Sequence, residues 1–366
     1  MSKIKKRRKK TANSNIENKA VMASAPAVRR EFPYKAVLVT LLVLVSLIAA
    51  VLLIVNLVVN FAFSKYDYKK GETPFEMAVA TETVTGDMYK SAEKIMALSN
   101  DYAKIYEKAV ANYYSEQVVN LKETNKNVFN YVVAITDNST NTEKNIAIES
   151  GNVVAVMLLS INTQQKQVTY ASINKSTLVV IPSVGVGPLY DAYEFGDIKL
   201  LTRTIQENYA VKINGYVDIS FASFVKAANE LGGIQIGDQK FSKDTDELYE
   251  QLYQYVNESE DREAAMKDVV KALANGAKKK GVFGLNKIIK TVDDAHISDD
   301  DFRDLLWSGA KIFRGEATVV NVGYETSETI KYNDWVYRNY PDIFSVSTCD
   351  YAAEINTLHK ALGLNK

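Results

Sequence analysis

The sequence predicts an α/β protein: a three-layer α/β/α sandwich with a central mixed sheet, preceded by a single transmembrane helix and a helical stalk. Three observations predict it. Residues 153–182 hold three successive strand-like runs. From Val128 to about Ile236, strand-like and helix-like stretches alternate. Ala36 to Phe63 carries no charged residue and is almost all Leu, Val, Ile and Ala.

Residues 1–35 carry eleven Lys/Arg against two Glu, a local charge of +9, and read as a disordered basic tail. The apolar run that follows has only Thr40, Ser46, Asn56 and Asn60 as polar members. About 20 apolar helical residues cross a bilayer, so the run is long enough to span one with some tilt. Positive charge beside a span predicts a cytoplasmic N-terminus, with the rest of the chain outside. A cleaved signal peptide is the alternative. Its apolar region is usually shorter and ends in a small-x-small site, and Asn60-Phe-Ala-Phe-Ser-Lys65 is a poor one. The chain is neutral overall and the span uncharged, so residues 64–366 carry −9. The tract Lys3–Lys10 fits attraction to the inner leaflet better than nucleic-acid binding, because it adjoins a span.

Lys65 to Pro74 reads as a polar linker. Met88, Ala92, Ile95, Tyr102, Ile105, Ala109 and Tyr113 recur at helical spacing and predict a long amphipathic helix or helix pair, a stalk packed on the main domain. A partner-binding helix is the other reading. Phe129 to Ile135 predicts a buried strand. Val153 to Leu159 predicts another, continuously apolar and so buried on both faces. After a polar turn come a β-branched strand, Val168 to Ile173, and a third run, Leu178 to Pro182. Ile198 to Asn208 predicts a helix with Leu200, Leu201 and Ile205 on one face. Val217 to Ile219 predicts a short strand. Phe221 to Leu231 predicts a helix capped at Gly232-Gly233, where glycine enters the left-handed conformation freely. Ile234 to Ile236 (strand), Leu248 to Lys280 (mostly helix), Phe302 to Ile312 (helix), Ala317 to Val322 (strand) and Tyr351 to Leu362 (helix) complete the order.

The single cysteine, Cys349, excludes an intramolecular disulfide. With only two histidines it also argues against a Cys/His zinc site. His359 falls in the last predicted helix and His296 in an Asp-rich loop. Both read as surface residues, which leaves a Ser-His-Asp triad poorly supported.

The order of these elements resembles the LytR-CpsA-Psr (LCP) family over residues 128–280. A strand ends in Ile135-Thr-Asp-Asn-Ser139, and a Gly-led buried strand runs into Ser160-Ile-Asn162. Ser172-Ile173 is followed by a polar triplet and Thr177. Asp191-Ala-Tyr-Glu-Phe-Gly196, a helix, Phe221-Ala-Ser-Phe224 and Leu231-Gly-Gly-Ile234 follow. The resemblance implies a glycopolymer phosphotransferase that moves teichoic acid, capsule or a similar polymer from a polyprenyl-pyrophosphate carrier to peptidoglycan. Arginines and a divalent metal such as magnesium neutralise the pyrophosphate, and aspartates hold the metal or activate the acceptor hydroxyl. An apolar channel holds the lipid tail.

This chain departs from that pattern at most charged positions. Asp137 matches the first-loop aspartate, but Ser139 stands at the arginine position. The Gly-Arg-Ser-Asp-Thr motif reads Gly151-Asn-Val-Val-Ala155, which puts Val154 where the aspartate belongs. Pro-Arg-Asp-Thr reads Asn174-Lys-Ser-Thr177, leaving Lys175 as a cation without the two-pronged geometry of arginine. Tyr255-Val-Asn-Glu-Ser259 lacks two further arginines. Arg262 survives in the next helix, where the expected Arg-Gln pair is Ala265-Met266.

The expectation is therefore a membrane-anchored, extracytoplasmic pseudoenzyme of envelope assembly that binds a polyprenyl-linked glycopolymer or regulates its transfer. An active transferase with relocated groups, or a protein-interaction ectodomain contacting other envelope proteins, are the alternatives. Candidate site residues are Asp137, Lys175 and Arg262, with Arg203 as a phosphate contact and Asp137 as the ligand if magnesium binds. The expected segments are a tail (1–35), a span (36–63), a linker and stalk (64–126) and an LCP-like domain (127–366).

Overall fold

The computed structural model describes residues 75–80, 100–119, 127–137, 153–242, 244–257, 259, 264–273, 275–276, 279, 296–297, 317–323, 328–329 and 347–364. All of them belong to one compact unit, Asn60–Lys366. The span expected at Ala36–Phe63, the first part of the stalk, Arg262 and the helix expected at Phe302–Ile312 lie outside the described residues. No helix among the described residues is long and apolar enough to cross a membrane.

Strands β1 (Val128–Thr136), β2 (Val153–Asn162) and β3 (Gln167–Ile173) form an antiparallel meander. β6 (Gly215–Ser220) joins β1 in parallel, β10 (Ala317–Val322) joins β3 in parallel, and β9 (His296–Ile297) closes the other edge against β6. The spatial order is β10-β3-β2-β1-β6-β9, a mixed sheet. His296 thus lies in a strand, with Asp218 as its backbone partner, and not in a loop.

Strand residues point alternately to opposite faces, and both faces here are covered. Val132 and Ala134 of β1 and Val156 and Leu158 of β2 pack with α3 (Leu189–Tyr209) and α6 (Tyr351–Ala361). Val133 and Ile135, with Ala155 and Met157, pack with α4 (Phe221–Glu230), α5 (Thr245–Asn257) and the helical run 264–273. The pairing slips once. Ile135 opposes Ala155, but Thr136 opposes Val153, so Val154 is the extra residue of a β-bulge. The bulge reverses the alternation and turns Val154 to the α4/α5 face.

α3 begins earlier than its apolar spacing predicts and is broken at Gly196-Asp197. Asp197 has φ 58°, and its Oδ1 accepts from Lys199 N at 2.7 Å, starting the second half. α4 starts at Ser220, whose hydroxyl accepts from Ser223 N at 3.1 Å. It ends at Gly232, in the left-handed region at φ +89°.

The run at Leu178 does not enter the central sheet. β4 (Leu178–Ile181) pairs only with β5 (Gly185–Pro188) as a hairpin. Its Val180 is held by the Asn208 side chain of α3, which accepts from Val180 N at 3.0 Å and donates to Val180 O at 2.8 Å. One amide thereby replaces a neighbouring strand. β7 (Gln235–Ile236) likewise pairs only with β8 (Gln239–Lys240). Ile105 and Ala109 of α1 (Asn100–Tyr113) pack on Leu178, Val186, Cys349 and Tyr351. The last helix corrects one sequence expectation: His359 is buried, with Nε2 3.0 Å from Tyr209 O.

Candidate functional site at the sheet rim

β1, β3, β6 and β10 run in one direction, so their C-terminal ends share one rim of the sheet. Ligands of α/β sheets bind beyond such ends, where loops diverge and side chains are free of the ladder. Two loops here carry the residues that the sequence singles out.

Asp137 follows directly on β1 and is only 5 % exposed. The Tyr249 hydroxyl of α5 donates to its carboxylate. Burial, and then the Asp137 charge, push the Tyr249 phenol up to about 12.

Asn174-Lys-Ser-Thr177 follows β3 and forms a turn fixed on several sides. Asn174 N donates to Val322 O at 3.0 Å, and its Nδ2 donates to Gly323 O at 2.9 Å. Asn174 Oδ1 accepts from Ser176 N at 2.9 Å. Gly323 sits at φ +79°, where an added Cβ would stand 2.9 Å from Thr177 Oγ1, so glycine is required there. The turn sends the Lys175 ammonium back to Val153 O, at 2.9 Å. Val153 pairs with Thr136, the residue before Asp137. The structure therefore brings Asp137 and Lys175 to the same rim, on either side of the start of β2.

Between them lies Val154, 5 % exposed. With Met157, Ile173 and Val270 it walls a narrow pocket that Lys175 and Lys267 also line. The pocket measures about 10 Å³, room for one water-sized body. Lys267 was not among the sequence candidates. Its only sequence signal is its place beside Ala265-Met266, where an Arg-Gln pair was expected.

On the opposite face of the rim, the Tyr193 hydroxyl donates to Asp218 Oδ2 at 2.8 Å and bonds Thr136. Burial and then Asp218 hold that phenol well above its usual range. Asp191, in the first turn of α3, follows Tyr190, whose N donates to Lys175 O at 3.0 Å. Burial, and then Glu194, raise the Asp191 carboxyl to about 7. Arg203 lies in the second half of α3. Its Nε donates to Glu207 Oε1 at 2.7 Å and its Nη1 to Ala78 O at 2.8 Å.

Among the described residues, Asp137 could give a magnesium ion one carboxylate, and Val154 offers it no ligand. Magnesium needs near-octahedral oxygen ligation, usually from one or two carboxylates with substrate oxygens and waters. No cluster of three or more His, Cys, Asp or Glu suited to a metal occurs among the described residues.

The LytR_cpsA_psr family matches residues 92–261. The polyisoprenyl-teichoic acid–peptidoglycan teichoic acid transferase TagU of Enterococcus faecalis is 32% identical over 99 residues, 26% of this chain and 33% of that protein. TagT of Bacillus subtilis, with the same description, is 27% identical over 82 residues, 22% of this chain and 26% of that protein. The chain thus matches a third or less of these relatives' own lengths. The crystal structure of gbs0355 from Streptococcus agalactiae superposes with a TM-score of 0.50 at 15% identity, covering 69% of this chain and 92% of that one, a likeness of fold alone. A mixed sheet with helices on both faces, a rim carrying Asp137 and the Asn174–Thr177 turn, and the match over residues 92–261 make the chain similar to the LytR-CpsA-Psr family and, over part of its length, to the matched teichoic acid transferases.

Proposed function

We propose that this protein is a membrane-anchored, extracytoplasmic component of cell-envelope assembly that binds a polyprenyl-linked glycopolymer without transferring it. Val154 carries the reading. It stands at the family's aspartate position, buried and bulged into the α4/α5 layer. A valine neither ligates a metal nor accepts a proton. Lys175, at the arginine position, is a point charge already hydrogen-bonded to Val153 O. Polyisoprenyl-linked teichoic acid, the donor named for TagU, is the ligand class to test first, with peptidoglycan as its neighbour.

One observation favours an active transferase instead. Lys175 and Lys267 line one pocket, and two cations there offer a diphosphate partial neutralisation.

A single assay separates the two readings. The full-length protein in detergent is given a polyprenyl-pyrophosphate glycopolymer with magnesium, and both binding and product are measured. Saturable binding with no cleavage of the pyrophosphate bond is expected. Turnover that disappears in Asp137→Ala or Lys175→Ala overturns the pseudoenzyme reading and establishes a rebuilt transfer site. Neither binding nor turnover overturns both and leaves a protein-interaction role.

A further inference from the structure

The exposed large apolar side chains among the described residues are Met77, Val79, Tyr106 and Tyr114, at 66, 52, 45 and 72 % exposure. Three of them, Met77, Val79 and Tyr114, flank one polar relay. The segment 75–80 is fastened to the domain by buried Phe75, by Ala80 N donating to Ser183 Oγ at 2.9 Å, and by Arg203 donating to Ala78 O. Ala78 and Ala80 face the core, while Met77 and Val79 face out. Arg203 also holds Glu207, which accepts from the Tyr113 hydroxyl at 2.6 Å. Tyr113 meets Tyr114 edge to face at 5.2 Å. Tyr114 therefore stands one relay away from the Met77–Val79 segment, and Tyr106 lies two helical turns back from Tyr113 along α1.

Apolar groups gathered at one border of a charged protein mark a contact surface. The chain itself indicates the occupant. Residues 64–74 link the expected end of the span to Phe75, and fully extended they reach at most about 40 Å. Tyrosine also has an apolar body and a polar tip suited to the headgroup region.

We propose that Met77, Val79 and Tyr114 form a lipid-contacting face that seats this domain on the outer surface of the bilayer. The proposal rests on the reading of residues 36–63 as a membrane span. The relay from Arg203 through Glu207 to Tyr113 positions the two halves of the face.

Site-specific labelling tests it. The full-length chain is reconstituted in vesicles of phosphatidylethanolamine and phosphatidylglycerol. An environment-sensitive fluorophore is attached at Met77→Cys or Tyr114→Cys, with Gln254→Cys as a remote exposed control. Cys349 needs no replacement, because it is buried and burial pushes its thiol up to about 12. Brominated lipids are expected to quench the labels at 77 and 114 roughly twofold, and not the label at 254. Unquenched, solvated labels on protein that resists alkaline extraction overturn the lipid face and leave the anchor standing. Labels shielded from solvent yet unquenched by lipid also overturn it, since a protein then covers the face. Release of the protein by alkaline extraction overturns the span reading and this inference together.

Discussion

The two faces of the central sheet are built differently. On the α3/α6 face, buried polar groups are tied to backbone: Asn208 to Val180, Asn130 to Lys212, His359 to Tyr209. On the α4/α5 face the core is aliphatic and aromatic, with Phe221, Phe224, Leu248, Leu252 and Val269 well buried. Its polar exceptions gather at the rim, in the Asp137–Tyr249 pair and the pocket that Lys175 and Lys267 line. A buried hydrogen bond specifies geometry, and an unmade one costs more than a made one contributes. The first face is thus a stapled scaffold. The second is a packed apolar layer whose charged groups at the rim are Asp137, Lys175 and Lys267.

The contrast can be broken at both faces. Val154→Asp places a carboxylate in the bulge at the rim of the apolar layer, and it should cost about 4 kcal/mol in urea unfolding. Magnesium that restores the midpoint would show metal ligands still converging there. Asn208→Leu leaves Val180 N and O without their partner on the stapled face, and about 3 kcal/mol should be lost in the same measurement. Tyr249→Phe removes one donor from buried Asp137 and should cost about 1.5 kcal/mol. The complementary Asp137→Asn should lower the Tyr249 midpoint in an ultraviolet pH titration, because the carboxylate is the second cause of its rise.

The smallest effect is a pH slope. Asp191 titrates near 7 in the fold, against 3.8 in the unfolded chain. The folded state therefore holds this proton more tightly, so stability is full below about pH 4 and falls as pH rises toward about 7. Asp191→Asn should remove that slope and gain about 1 kcal/mol at neutral pH. Unfolding midpoints at acid and neutral pH measure it.

Much of the scaffold was legible because apolar runs carry their own boundaries. Ala317–Val322 forms a strand over the residues its β-branched pattern marks, and Val128–Thr136 and Gln167–Ile173 differ from expectation only at their ends. Sequence did not reveal which strands share a sheet. Leu178–Ile181 looks as strand-like as β3, yet Asn208 and β5 satisfy its backbone away from the main ladder. The placement of the candidate residues at the rim was half legible. Asp137 and Lys175 could be placed by motif. Lys267 and the Val154 bulge could not, since one arises from a helix packing on the sheet and the other from a slip in pairing that Val153-Val-Ala-Val156 does not betray.

The parallel partnership of β10 with β3 has a consequence for biogenesis. β1, β2 and β3 are near neighbours in sequence and close as a local meander, but the outer edge of β3 waits for Ala317–Val322. Contacts so distant in sequence form slowly, and an unpaired edge strand templates association with other chains. A nascent chain lacking residues beyond 316 would expose that edge along Val168–Ile173. Premature termination there should yield sticky protein that chaperones or proteases must remove.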